Sequence, residues 1–103
     1  MKKIIEGVRY NTETAKEVFH WEQGIPGDFN YRSKTLYRTQ KGSWFIHHVG
    51  GANTDMAVSV WDNSFSGSED IEPIEEVEAF EFLQKYEGID ALEKYFGDKI
   101  TDA

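Results

Sequence analysis

The sequence has no cysteine, only two prolines, and no apolar run long enough to cross a membrane. Without cysteine there can be no disulfide framework, no thiolate zinc site and no thiol nucleophile, and the composition suits a reducing compartment. With so little proline, and no long Gly/Ser tract, nothing reads as a linker between domains. The 103 residues are therefore expected to form one domain, 1–103, since two would each have too little apolar surface to offset folding entropy. The opening stretch MKKIIEGVRY has two lysines but no hydrophobic region behind them. A soluble, cytoplasmic protein without membrane attachment is the expectation.

Nucleotide and acyl-transfer signatures are missing as well. There is no G-x-x-x-x-G-K-[ST], no G-x-G-x-x-G and no G-x-S-x-G around Ser64, Ser66 or Ser68. Gly50-Gly51 reads as a turn rather than a phosphate loop. No cofactor is implied and no catalytic residue is assigned.

Basic residues are also scarce in one half. Residues 1–51 hold eight Lys/Arg against five Asp/Glu, whereas residues 52–103 hold three against fourteen. Eight of those carboxylates fall between Gly67 and Gly88, opposed within that stretch by Lys85 alone. A field of one sign repels nucleic acid and attracts basic protein surfaces, so a protein partner is expected and direct nucleic-acid binding is not.

What is abundant is aromatic and β-favouring residues, enough for a core despite a net charge of −8. Lys2–Ile5 and Val8–Tyr10 around Glu6-Gly7 predict a small hairpin. Asn11 or Thr12 is a candidate cap for a helix that places Ala15, Val18 and Trp21 on one face and ends at Gly24 and Pro26-Gly27. From Phe29 to Trp61 the period becomes two. That predicts three antiparallel runs, the first two joined by Gln40–Ser43 and the third including Met56, Val58, Val60 and Trp61. Asp62–Asp70 reads as a polar loop, followed by a short strand near Ile71. Residues 74–86 then predict an acidic helix with Val77, Ala79, Phe80 and Leu83 on its inner face and Phe82 and Tyr86 on a flank. Asp90 is a candidate cap for a last short helix. The fold class is α+β: a small antiparallel sheet, a helix after the first hairpin, and two C-terminal helices.

Two alternatives involve chemistry. His47-His48 lies on a predicted strand, where neighbours point to opposite faces, so a metal-dependent RNA-cleaving site would need His20, Asp55 or Asp62 to join one of them. Basic Arg32, Lys34, Arg38 and Lys41, interleaved with Tyr31, Tyr37 and Trp44, could pair with single-stranded RNA, although the acidic whole argues against it.

Three stretches, KKIIEGVRYNTETAKE, TLYRTQKGSWFIHHVGGA and SGSEDIEPIEEVEAFEFLQKYEG, resemble a family of small proteins carried on mobile elements of Gram-positive bacteria. That family includes anti-CRISPR inhibitors of type II-A RNA-guided nucleases. The resemblance implies a non-enzymatic inhibitor that interferes with guide-RNA loading, or else a mobile-element domain with another protein partner. The carboxylates expected to meet the partner are Glu69, Asp70, Glu72, Glu75, Glu76, Glu78 and Glu81. Acids about one helical turn, ~5.4 Å, apart approximate the spacing of phosphates along a strand.

Overall fold

A computed structural model describes residues 1–25, 28, 30–50, 58–59, 65–66 and 68–103. Its fold is α+β. Strands β1 (Lys2–Ile5) and β2 (Val8–Asn11) form the predicted hairpin, with Ile5 opposite Val8. Glu6 and Gly7 both take positive φ, 50° and 80°, as a two-residue turn matched to strand twist requires. A four-stranded antiparallel sheet follows, in the order β3 (Lys16–Gln23), β4 (Arg32–Arg38), β5 (Trp44–Gly50), β8 (Ser68–Ile74). The short strands β6 (Val58–Ser59) and β7 (Phe65–Ser66) pair with each other. Helices α1 (Glu76–Lys85) and α2 (Ile89–Phe96) close the chain, followed by a single 3-10 turn, Gly97–Lys99.

The helix expected after the first hairpin is instead strand β3. Val18, Phe19 and Trp21 are branched or aromatic residues that lose side-chain freedom in a helix and pack well on a pleated surface. As a strand, the segment pairs with the whole of β4, from Lys16 opposite Arg38 to Gln23 opposite Arg32. The register shifts between Glu17 and Phe19, which lets the adjacent Val18 and Phe19 both pack against the core. Asn11, the candidate helix cap, closes one isolated turn: its side-chain oxygen accepts the Glu13 N–H at 2.9 Å and its carbonyl accepts the Ala15 N–H at 3.0 Å.

Beside β5 stands β8, not the run from Met56 to Trp61. Four of the six residues of that run lie outside the described residues, as do Gly51, Pro26-Gly27, and Asp62, Asn63, Ser64 and Gly67 of the loop expected over Asp62–Asp70. Within that loop, Phe65–Ser66 and Ser68–Asp70 are strand. The side chains of β8 follow the pleat of β5, Ile71 opposite His47 and Ile74 opposite Trp44.

One sheet face carries Leu36, Trp44 and Ile46 against Ala79, Phe82 and Leu83 of α1 and Leu92 and Phe96 of α2. Leu36, Leu83 and Phe96 are fully buried, each contributing about 1.5–3 kcal/mol of transfer free energy. The inner face of α1 includes Phe82, whereas Val77, expected inside, is 59% exposed. The other sheet face buries Phe45 completely, stacked on Tyr37 at 5.1 Å and met edge-on by Tyr10 of the hairpin at 5.6 Å. The β1–β2 hairpin, the four-stranded sheet and the helices thus stack as three layers.

Helix α1 ends where predicted, by a mechanism the sequence only half shows. Glu87 takes the left-handed conformation, φ 59°, and the Gly88 N–H donates to the Leu83 carbonyl at 2.8 Å. A Cβ on Gly88 would stand 2.9 Å from Leu83 and 3.1 Å from Phe19, so any larger residue there requires those two side chains to shift. Asp90 sits in the first turn of α2, whose cap position is Gly88.

Candidate partner-binding surface

The acidic strip begins on β8. His47 and His48 point to opposite sides of the sheet, and each reaches a carboxylate diagonally across the β5–β8 pair. His47 Nε2 hydrogen-bonds Glu69 Oε2 at 2.8 Å, and His48 Nε2 hydrogen-bonds Glu72 Oε1 at 2.8 Å. Between them, Asp70 accepts a hydrogen bond from Lys3 of the hairpin. That bond holds the Asp70 carboxyl below the usual carboxylate range; slight burial opposes the shift, and the Ile71 N–H adds to it. All three β8 acids expected at an interface are therefore matched by a basic or imidazole group of the same chain.

The remaining four are on or beside α1. Glu75 occupies the cap position, and its N–H donates to Glu78 Oε1 at 3.0 Å, while the Glu78 N–H donates back to the Glu75 carbonyl. The helix dipole favours these charges at an N-terminus. Glu76 lies 3.7 Å from Lys99. Glu81 is exposed, with no hydrogen bond or ion pair to a described residue, and with Glu75 and Glu78 it forms a row at i, i+3 spacing along one edge of the helix.

Glu75, Glu76 and Glu78 line a cavity of about 430 Å³, walled also by Trp44, Pro73 and Ile74. Its far side is the hairpin, through Tyr10 and Glu6, and no Lys or Arg lines it among the described residues. Glu6 was not among the expected site residues. Its charge looks unremarkable in the sequence, and only the docking of the hairpin on the sheet brings it opposite α1. The seven expected carboxylates thus divide into Glu69, Asp70, Glu72 and Glu76, which are paired, and Glu75, Glu78 and Glu81, which form an exposed edge joined by Glu6.

The chemical alternatives are less well assembled. Because His47 and His48 diverge, they cannot share a ligand, and no group of three or more His, Asp or Glu that could hold a metal ion occurs among the described residues. Asp55 and Asp62 lie outside those residues. His20 donates to or accepts from Thr35 Oγ1 at 2.7 Å on the hairpin side of the sheet. No helix of the described residues is long and apolar enough to cross a membrane.

No family model, curated protein or solved structure matches this chain.

Proposed function

We propose that this protein is a cytoplasmic, non-enzymatic inhibitor that uses the exposed acidic edge formed by Glu6, Glu75, Glu78 and Glu81 to occupy a basic surface of a nucleic-acid-handling protein. The partner implied by the family resemblance is a type II-A RNA-guided nuclease, and the mechanism is competition with its guide RNA. The observation that carries this reading is the cleft between hairpin and α1, where carboxylates gather without a lining cation. Such a cluster favours an incoming Lys or Arg, and a channel that grips phosphates offers many of both. The paired acids on β8 contribute to the long-range field but have already met cations or imidazoles, so they add less at contact.

The test is size-exclusion co-elution with the nuclease, with and without guide RNA, at two salt concentrations. Co-elution confined to the guide-free nuclease and weakened by salt supports the proposal. Reversing the edge in Glu6→Lys/Glu75→Lys/Glu81→Lys, which keeps the Glu78 cap, should weaken binding by about tenfold or more, because each attraction becomes a repulsion. Unchanged co-elution of that variant would reject the assigned edge. Guide RNA shortened during the incubation with Mg²⁺ would instead favour the metal-dependent cleavage alternative at His47 or His48.

A further inference from the structure

The chain carries 11 Lys/Arg against 19 Asp/Glu, yet five of the basic residues line two adjoining cavities. The first, about 720 Å³, holds Lys16, Arg38, Lys41 and Lys94; the second, about 540 Å³, holds Arg9 and again Lys41. The two share Thr14, Ala15, Thr39, Gln40 and Lys41, so they form one groove across the end of the sheet. No Asp or Glu lines either part among the described residues.

The five cations also lack intramolecular counter-charges: none forms an ion pair with a described carboxylate. Aromatic faces hold two of them in place. The Arg38 guanidinium lies 5.1 Å from the Trp44 ring centre and 5.6 Å from that of Tyr95, and Lys94 Nζ lies 5.5 Å from Tyr95. A π face orients a cation while leaving its N–H donors open toward the groove. Thr14, Thr39 and Gln40 add polar groups between the charges.

The groove passes through all three layers: Arg9 belongs to the hairpin, Lys16 and Arg38 to the sheet, Lys41 to the β4–β5 turn and Lys94 to α2. With layers about 10 Å apart, it runs roughly 20 Å from end to end. That is longer than one phosphate needs and suits a chain of several.

We propose that this groove binds the phosphodiester backbone of a short single strand of nucleic acid. The ligand is a polyanion with phosphates at regular spacing, read by charge and not by sequence. The net negative charge of the protein opposes such binding at a distance, but at contact the local field has the opposite sign. This site faces away from the acidic cleft across the Gly42-Ser43 turn, whose residues line both, and its ligand is independent of the nuclease partner proposed above.

The experiment is fluorescence anisotropy of labelled single strands of about a dozen nucleotides, one RNA and one DNA, titrated with the full chain from about 50 to 200 mM salt. Saturable binding is expected to both strands, with log K falling against log salt at a slope between about −2 and −3.5. Equal affinity for the two strands assigns recognition to phosphate alone; preference for RNA adds a 2′-hydroxyl contact. Lys41 is exposed in a turn, so Lys41→Glu leaves the core untouched; it should weaken binding about fivefold to tenfold at the lower salt, and Lys41→Glu/Lys94→Glu should flatten the slope by about 1.4. Lys2→Glu makes the same change in net charge outside the groove and should alter affinity less than about twofold.

Three results would overturn the proposal. One is no binding of either strand at the lowest salt by a protein that melts cooperatively. Another is equal loss in Lys2→Glu and Lys41→Glu, which would reduce the effect to net charge. The third is a concentration-dependent dimer in sedimentation that Lys41→Glu abolishes, since the groove would then hold the acidic edge of a second copy.

Discussion

Two oppositely charged surfaces flank a single turn. Gly42 and Ser43 of the β4–β5 connection stand between them, each lining the acidic cleft on one side and part of the basic groove on the other. The acidic surface holds the larger number of charges, but four of its expected carboxylates are matched by Lys3, His47, His48 and Lys99. The basic surface is the minority by count, and its five cations are unmatched among the described residues. Net charge therefore describes how the molecule behaves at a distance, while contact chemistry follows where charges are left uncompensated.

The strongest way to break this contrast is at the residue that belongs to both sides. Trp44 lines the acidic cleft and also supports Arg38 with its ring, which stacks on Phe96 at 5.5 Å. Trp44→Ala should cost about 3–5 kcal/mol in urea unfolding and weaken strand binding and partner binding together. A loss in one binding activity alone would mean that the two surfaces do not share this support. Removing Glu78 affects only the acidic side. Glu78→Ala opens the start of α1 and should lower stability by about 1 kcal/mol in the same assay, leaving strand anisotropy unchanged.

The smallest expected effect sharpens the distinction between paired and unpaired acids. Because Lys3 holds the Asp70 carboxyl below its ordinary range, its folded-state pKa is lower than its unfolded one. The stability it contributes is present above the ordinary carboxylate range and is lost as pH falls through the folded value. The pair is half exposed, so Asp70→Asn should lose only about 0.5 kcal/mol at neutral pH, and the gap between the two proteins should close in acid. Chemical unfolding at neutral and acid pH would measure it; a gap that widened in acid would contradict the assigned sign.

Much of the fold was legible where one periodicity dominated. The strands Arg32–Arg38 and Trp44–Gly50, the turn at Gln40–Ser43, the hairpin at Glu6-Gly7 and the helical run through Glu76–Lys85 carried through to the structure, although Val77 faces solvent and Phe82 takes the inner face. Residues 13–23 misled because Ala15, Val18 and Trp21 fit a helical face while Phe19, Trp21 and Gln23 fit one side of a strand, and only pairing with β4 decides between them. The acidic strip was visible as composition, but its partners were not: Lys3 is 67 residues from Asp70, and the two imidazoles are diagonal neighbours only in the observed register. The basic groove was less visible still. Arg38 and Lys41 stood out beside aromatic residues, but Arg9, Lys16 and Lys94 come from other elements, and tertiary packing alone unites them.

Among the described residues, the order β3-β4-β5-β8 leaves two outer strands whose backbones could recruit a foreign strand. Each has its own gatekeeper. On β3 the register shift between Glu17 and Phe19 bends the edge out of line. On β8, Glu69, Asp70 and Glu72 lie along the edge, and Pro73, which has no N–H to offer, interrupts its row of donors. The same carboxylates that gave the sequence its most conspicuous feature therefore also discourage edge-to-edge polymerisation of a sheet-rich chain, a service to solubility that needs no partner at all.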